Sequence, residues 1–281
     1  MKIGIVGNGF VGKATSLLAC EAVEVLTYDK DPNRREPKDL ILKDLASCDF
    51  VFVCVPTPMR KDSSCDLSIV RAVVSDLTTN GVSKRNIVIR STVPVGTSKE
   101  LNVHFMPEFL TEANWTNDVR ENNVWVMGVR DAKDFHIQRQ FHNLICLAKE
   151  AGRVNSDRVS FCSTGEAELA KYARNCFLAT KVSFFNELHQ FCKSKRIDFE
   201  QVRQLVALDK RIDEHHTSVP GPDGKHGFGG TCFPKDMNSL SCQCKGAGMI
   251  PHVIDAAIYR NENVDRTEKD WFLDKGRAVS D

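Results

Sequence analysis

The chain opens with Lys2-Ile3-Gly4-Ile5-Val6-Gly7-Asn8-Gly9-Phe10-Val11-Gly12, and the reading of that stretch decides the fold. Lys2–Val6 is a short apolar run bounded by glycine, which reads as a buried strand. Gly7-Asn8-Gly9-Phe10-Val11-Gly12 then matches the spacing G-x-G-x-x-G. Alone that hexamer is weak. Here a strand precedes it, Val11 to Ala22 can form a helix, and a second apolar run ends in Tyr28-Asp29, twenty residues after Gly9. This is the context that a dinucleotide-binding turn requires. Gly7 allows the tight turn, Gly9 the approach of a pyrophosphate, and Gly12 close helix–strand packing. Phe10 and Val11 open the helix whose N-terminal N–H groups favour an anion. Asp29 is placed to accept from ribose hydroxyls and to repel a 2′-phosphate, so NAD is the expected cofactor. Lys30, Arg34 and Arg35 pull the other way, toward NADP. The bland alternative is a glycine turn with an exposed aspartate.

Working outward, Val23–Tyr28, Val51–Val55, Asn86–Arg90, Val103–Met106 and Val124–Val129 repeat the strand signal, with segments between them long enough for crossover helices. Repeated strand–helix–strand units predict a parallel sheet covered on both faces. The fold class is therefore α/β: a Rossmann-type, doubly wound parallel sheet over residues 1–164. Around Ser163-Thr164-Gly165 the pattern changes. Glu166 to about Lys193 has neither Pro nor Gly and reads as one long helix capped at Ser163 or Thr164. It is apolar around most of its circumference, which predicts burial between domains or subunits. Phe199–Leu208, Met237–Gly246 and His252–Glu262 read as further helices, and the polar tail after Asn263 as a fraying end. Residues 165–281 are thus expected to form an all-helical domain built on the long helix.

Bulk composition is that of an ordinary globular protein, 42% hydrophobic and 27% charged, with a net charge of +1. That balance gives no electrostatic pull toward nucleic acid or an anionic membrane, and no apolar run is long enough to span a bilayer. The first strand begins at Lys2 with no apolar signal segment ahead of it. The 11 cysteines are scattered, which suits a reducing cytoplasm. Cys242-Gln243-Cys244 has the wrong spacing for a zinc knuckle, so no metal site is expected.

Five further segments carry chemistry. Cys54-Val55-Pro56-Thr57-Pro58 and Ser91-Thr92-Val93-Pro94-Val95-Gly96-Thr97 follow the third and fourth strands, where open α/β sheets bind ligands. Pro107-Glu108-Phe109-Leu110-Thr111-Glu112 comes next. Glu168-Leu169-Ala170-Lys171-Tyr172-Ala173-Arg174-Asn175 lies on the long helix, and Gly227-Phe228-Gly229-Gly230-Thr231-Cys232-Phe233-Pro234-Lys235-Asp236 sits near the far end. Lys171 and Asn175 are four apart and share a helix face. In so apolar a helix they need partners or a wet cavity, unless the lysine snorkels and the asparagine is a satisfied core residue. Glu108 and Glu112, taken alone, could equally be a solvated pair. A cysteine behind a glycine-rich bend can act as a covalent nucleophile, with neighbours that tune its thiolate.

These segments, in this order, resemble the UDP-glucose/GDP-mannose dehydrogenase family across essentially the whole chain. The resemblance implies a four-electron oxidation of a nucleotide sugar by NAD, with UDP-glucose as the expected substrate. It implies Cys232 as the nucleophile of a thiohemiacetal and thioester, and Lys171 and Asn175 as oxyanion donors. Asp236 would act as base through a water held with Thr92 and Glu108, and Glu112 as a candidate acid/base in hydrolysis. Pro56, Thr57, Thr92 and Lys235 join the cofactor set. Phe109, Leu110, Lys171, Asn175, Lys225, Phe228 and Gly229 are expected against the substrate. Arg211, in Asp209-Lys210-Arg211-Ile212, would reach the sugar of a neighbouring subunit, which implies a homodimer with the long helix as its interface. A solvated helix-end charge is the alternative for Arg211. Family members usually continue into a second Rossmann-like domain, so the chain is expected to be a short form lacking it. A GDP-mannose or UDP-N-acetylhexosamine enzyme, a two-electron 3-hydroxyacid-type dehydrogenase and a non-catalytic NAD-binding protein remain as alternatives.

Overall fold

The structure, a computed structural model, describes residues 1–280; Asp281, the last residue of the expected helical domain, lies outside the described residues. The chain divides into two compact units: Met1–Thr57 with Leu67–Lys171, and Pro58–Asp66 with the chain from Tyr172 onward.

The first unit is built on seven strands: β1 (Lys2–Val6), β2 (Glu24–Tyr28), β3 (Phe50–Val53), β4 (Ile87–Ile89), β5 (His104–Phe105), β6 (Trp125–Val129) and β7 (Val159–Ser163). They form one sheet in the order β2-β1-β3-β4-β5-β6-β7. Pairing is parallel except between β5 and β6, which meet antiparallel at Phe105 and Gly128. The sheet is thus mostly parallel, and the expected all-parallel pattern ends at β5. An antiparallel pair needs no crossover helix, and only the short α4 (Trp115–Arg120) lies between these two strands. β7, which the sequence reading did not anticipate, is an edge strand whose residues Val-Ser-Phe-Cys-Ser are only partly buried, so its hydrophobic period is weak.

Helices α1 (Phe10–Ser16), α2 (Ser68–Thr79), α3 (Thr97–Leu101), α4 and α5 (Phe135–Glu150) complete the unit. Strand β3 shows why both faces are covered. Phe50 and Phe52 pack with Ala14 and Leu18 of the α1 segment and with Phe141, Leu144 and Ile145 of α5. Val51 and Val53 point the other way, toward Val70, Val74 and Leu77 of α2. A strand buried on both faces has to be apolar at every position, which is what Phe-Val-Phe-Val supplies. Strand order reverses between β1 and β3, so the loops after those strands, Gly7–Gly9 and Cys54–Thr57, flank the switch point where such sheets bind ligands.

The long helix α6 (Thr164–Lys195) gives its residues up to Lys171 to the first unit and the rest to the second. Three phenylalanines at seven-residue intervals, Phe177, Phe184 and Phe191, stay 68%, 60% and 56% exposed, so one stripe of this apolar helix is uncovered in the single chain. The second unit adds α7 (Phe199–Ala207), α8 (Phe233–Gly246) and α9 (His252–Arg260). The tail does not fray as expected. Trp271, Ala278 and Val279 bury together with Met59, and the Met59 N–H donates to the Ala278 carbonyl at 2.9 Å while Ser280 N–H donates to the Met59 carbonyl at 2.8 Å. Few apolar residues suffice here because backbone pairing with 58–66 supplies the rest.

In the first unit the Glu168 side chain is fully buried, and its carboxylate accepts from the N–H of Gly96 at 2.6 Å and of Ser98 at 2.8 Å. It thereby ties the loop after β4 to α6. Burial raises its pKa against those hydrogen bonds. Glu168→Ala leaves both N–H groups without a partner in a dry site, and at roughly 1–3 kcal/mol for each a loss of about 2–6 kcal/mol in a urea titration is expected. A loss below about 1 kcal/mol would show that water replaces the carboxylate there.

Candidate active site

At the N-terminal loop each glycine answers a specific demand. Gly7 has φ +99, and a Cβ on it would stand 2.4 Å from the Cys54 carbonyl oxygen. A Cβ on Gly12 would stand 2.0 Å from the Gly7 carbonyl, while Gly9 faces open space. The loop therefore packs backbone against backbone on two sides and leaves its third side clear for a ligand. Asp29, at the end of β2, is buried. Its Oδ2 accepts from Asn8 N–H at 2.7 Å and its Oδ1 from Asp31 N–H at 3.0 Å. Arg35 is committed to the loop itself. Its Nε donates to the Asp29 carbonyl at 2.8 Å and its guanidinium lies 4.4 Å from the Tyr28 ring centre. The Arg34 guanidinium donates to the Asn8 carbonyl. Two of the three basic residues that favoured NADP thus serve backbone carbonyls, while the buried carboxylate stands where a ribose would be read. These residues fit NAD. Phe10 and Val11 are half-buried, and Thr57 Oγ1 donates to the Thr92 carbonyl at 2.8 Å, joining the two loops at the sheet's carboxyl edge. Pro56 is exposed at the same edge.

Also in the first unit, Lys171 Nζ lies 2.6 Å from Glu108 Oε1, with both side chains buried. Glu108 Oε2 accepts from Leu110 N–H at 3.0 Å, so one carboxylate holds the lysine and folds the Pro107–Thr111 loop. Phe109 and Leu110 are half-buried on that loop, and Glu112 is exposed beyond it.

The second unit holds the thiol. Cys232 is half-buried at the N-cap of α8, with Pro234 in the first turn. A helix N-terminus favours a thiolate. Lys235 and Asp236 are buried one turn on. Asp236 Oδ1 accepts from Lys235 Nζ and Oδ2 from Asn175 Nδ2, each at 2.6 Å. Burial works against the charge on Lys235, but the neighbouring Asp236, Cys232 and Cys65 outweigh it and hold the ammonium above its ordinary range. That coupling is reciprocal, so Lys235 favours the charged form of Cys232. Lys235, expected against the cofactor, is here engaged by Asp236. The Phe228 side chain is in the core with Cys176, Ala179 and Met237, and its N–H and carbonyl both bond to the Asn261 amide. Gly229 is half-buried. Lys225 pairs with Asp270 at 2.8 Å and Glu268 at 3.2 Å. Arg211 is 89% exposed and donates to Asp209 at 3.0 Å.

Three buried thiols are poor nucleophiles. Burial pushes Cys48 up to about 12 and Cys54 up to about 11, and raises Cys176 as well. One group of metal-type ligands among the described residues, His142, Cys146 and Asp157, comes together within 4.8 Å, but the Lys149 ammonium already sits 2.7 Å from Asp157. Buried polar residues to which the sequence reading gave no role are Glu168, Asn186, Asn261 and Arg266. Each is a common polar type whose only signal is burial.

Removing one partner of a buried ion pair strands the other, at about 3–5 kcal/mol. Lys171→Met is therefore expected to destabilise the protein by that amount in denaturant titration, and Glu108→Gln combined with Lys171→Met to recover more than half of it. Additive losses would show that the two side chains do not act as a pair.

Residues 38–146 match the model of the UDP-glucose/GDP-mannose dehydrogenase family, NAD binding domain, and residues 165–263 that of the same family's central domain. A UDP-glucose 6-dehydrogenase of Pseudomonas aeruginosa is 30% identical over 307 residues, covering 93% of this chain and 65% of that protein. The UDP-glucose 6-dehydrogenase TuaD of Bacillus subtilis is 29% identical over 327 residues, covering 99% of this chain and 68% of its own length. The chain thus spans about two thirds of the length of these relatives. The solved structure of a UDP-glucose dehydrogenase from Pyrobaculum islandicum superposes with a TM-score of 0.76 at 26% identity, over 93% of this chain and 68% of that one. The nucleotide cofactor is NAD, in keeping with the matched domain and with the loop that fits it. With its N-terminal and central domains both matched, the chain belongs to the UDP-glucose/GDP-mannose dehydrogenase family.

Proposed function

We propose that the chain oxidises the 6-hydroxyl of a nucleotide sugar, UDP-glucose to UDP-glucuronate, in two steps through Cys232. The observation that carries the reading is the half-buried thiol at the head of α8, followed by the buried array Lys235–Asp236–Asn175. An alcohol can lose a hydride once its proton is taken, but an aldehyde cannot do so until a nucleophile has added to it. NAD, when bound, supplies the hydride acceptor for both oxidations. The chain supplies the rest. Asp236, through a water, takes the hydroxyl proton in the first step. The Cys232 thiolate then adds to the aldehyde carbon, forming a C–S bond and an oxyanion. The Lys171 ammonium and the Asn175 amide stabilise that oxyanion, with Glu108 orienting Lys171. Loss of the second hydride leaves a thioester. Water breaks the C–S bond to give the carboxylate and return the thiolate, with Glu112 as the acid/base candidate, assisted by Thr92.

Phe109, Leu110, Lys225 and the Phe228–Gly229 bend are assigned to the substrate. Arg211, exposed and paired only within its own turn, is assigned to the substrate of a neighbouring subunit. The Phe177, Phe184 and Phe191 stripe of α6 supports a homodimer through that helix. Exposed apolar rows of this kind mark interfaces more often than solvent. No helix among the described residues is long and apolar enough to cross a membrane, which agrees with a cytoplasmic enzyme.

A 3-hydroxyisobutyrate dehydrogenase of Mycobacterium tuberculosis shares the fold, with a TM-score of 0.70 at 17% identity. Such a two-electron enzyme has no use for a thiol, so stoichiometry separates the readings. The expected result with the purified chain is two NADH per UDP-glucose consumed. Cys232→Ser should stall at the aldehyde, giving no more than one NADH per sugar consumed and a rate of NADH formation reduced about 100-fold or more, on the scale of losing a key catalytic contact. One NADH per sugar in both proteins would remove the covalent mechanism. Turnover confined to GDP-mannose or a UDP-N-acetylhexosamine would move the substrate assignment and keep the chemistry.

A further inference from the structure

The bend before the thiol is held from below by residues that follow α9. Asn261 is fully buried. Its Oδ1 accepts from Phe228 N–H at 2.7 Å and its Nδ2 donates to the Phe228 carbonyl at 2.9 Å, so one amide satisfies both backbone groups of a residue in no regular element. Gly227 N–H donates to Asn186 Oδ1 at 3.1 Å. A Cβ on Gly227 would stand 2.3 Å from Asn261 Oδ1, and the residue has φ +67. Two residues further, a Cβ on Gly229 would stand 2.3–2.6 Å from the guanidinium atoms of Arg266. That guanidinium is buried and fixed by three bonds: Nε to Asp270 Oδ1 at 2.8 Å, Nη2 to Asp270 Oδ2 and Nη1 to Asp223 Oδ2, each at 2.7 Å. The glycines are therefore places where side chains from elsewhere in the unit close on the bend.

We propose that Asn261 and Arg266 are positioning residues for Cys232, fixing from the chain beyond α9 the glycine bend that decides where the thiol stands at the head of α8. The inference rests on the reading of Cys232 as nucleophile. Asn261 bonds to Phe228 and Arg266 closes on Gly229, both ahead of the thiol in the chain. They act through Phe228 and Gly229, which lie four and three residues before it. A neutral amide paired to both groups of one peptide residue fixes backbone geometry as a strand partner does. A guanidinium held by two carboxylates is a rigid plate, since its fork geometry is satisfied from the far side. With the bend loosened, Cys232 loses its fixed place relative to Lys235, whose charge favours the thiolate.

The test reads the thiol without any turnover. The folded full chain is labelled with iodoacetamide for timed intervals over a range of pH, and peptide mass spectrometry separates Cys232 from the other cysteines. Asn261→Ala is expected to slow Cys232 labelling near neutral pH by about tenfold, the effect of displacing the thiolate titration by one pH unit. Labelling of Cys20 and Cys146 in the first unit should not change. Arg266→Lys keeps the charge and loses the fork, and a smaller slowing, about two- to threefold, is expected. The titratable groups of this unit near the head of α8, Lys235, Asp236, Cys65 and, against Phe233, His216, are the same in Asn261→Ala and Arg266→Lys. If Asn261→Ala does not fold, Asn261→Asp replaces it. That variant keeps an acceptor for Phe228 N–H and lacks the donor to its carbonyl, and a displaced pH profile is again expected. A fast wild-type Cys232 whose profile is unmoved in the folded variants overturns the inference alone. A wild-type Cys232 that labels no faster than Cys20 or Cys146 removes both the inference and the nucleophile reading beneath it.

Discussion

Lys171 and Lys235 carry full charges into dry surroundings, and an isolated buried ion costs several kcal/mol even after the protein relaxes. Each is tolerated because a carboxylate lies 2.6 Å away, Glu108 for one and Asp236 for the other. The second oxygen of each carboxylate then does the positioning. Glu108 Oε2 folds its own loop by accepting from Leu110 N–H, and Asp236 Oδ2 takes the Asn175 amide. Such pairs are weak evidence for stability, since apolar residues of the same volume often do as well. What apolar residues cannot supply is a donor or cation at a defined point, and these lysines supply that at the positions assigned to the chemistry.

Glycine serves two opposite ends in this chain. At Gly7, Gly12, Gly227 and Gly229 the missing Cβ lets protein atoms close in, from the Cys54 carbonyl to the Arg266 guanidinium. At Gly9 and Gly230 the space beyond stays empty. The distinction matters because substitution has different consequences. At the first four positions a methyl group displaces protein and distorts the loop. At Gly9 it leaves the fold room and obstructs whatever approaches from outside.

How legible the chain was depended on whether chemistry or context fixes a residue. Lys2–Val6, the Gly7–Gly12 turn and Asp29 could be read because spacing alone constrains a nucleotide-binding turn, and β1 and the Gly7 bend lie where that spacing puts them. The long helix was legible because nothing in Glu166–Lys193 breaks it, and it runs somewhat further, from Thr164 to Lys195. Edge strand β7 was not, since half its side chains face solvent and the period-two signal fades. The tail after Asn263 reads as polar, yet Trp271 and Val279 are buried, because their partner Met59 lies more than two hundred positions earlier. Asn261 is the sharpest case. In sequence it is one asparagine two positions from another, and only the fold shows that its amide closes on Phe228.

The division of the chain bears on the two-step chemistry. The backbone crosses between the units at Thr57–Pro58, at Asp66–Leu67 and at Lys171–Tyr172, and two of those crossings fall inside the motifs Cys54–Pro58 and Glu168–Asn175. Thr57 secures the Thr92 loop on one side of its crossing, while Met59 pairs with the tail on the other. Lys171 meets Glu108 before its crossing, and Asn175 meets Asp236 after it. On the proposed reaction a first reduced cofactor must leave and a second arrive while the sugar remains in place. The glycine turn and Lys171 belong to the first unit, and Cys232 with Asn175 and Asp236 to the second. Lys171 and Asn175, the residues assigned to the oxyanion in the proposed reaction, lie four positions apart on the one helix that runs through this crossing, so helix geometry fixes their spacing.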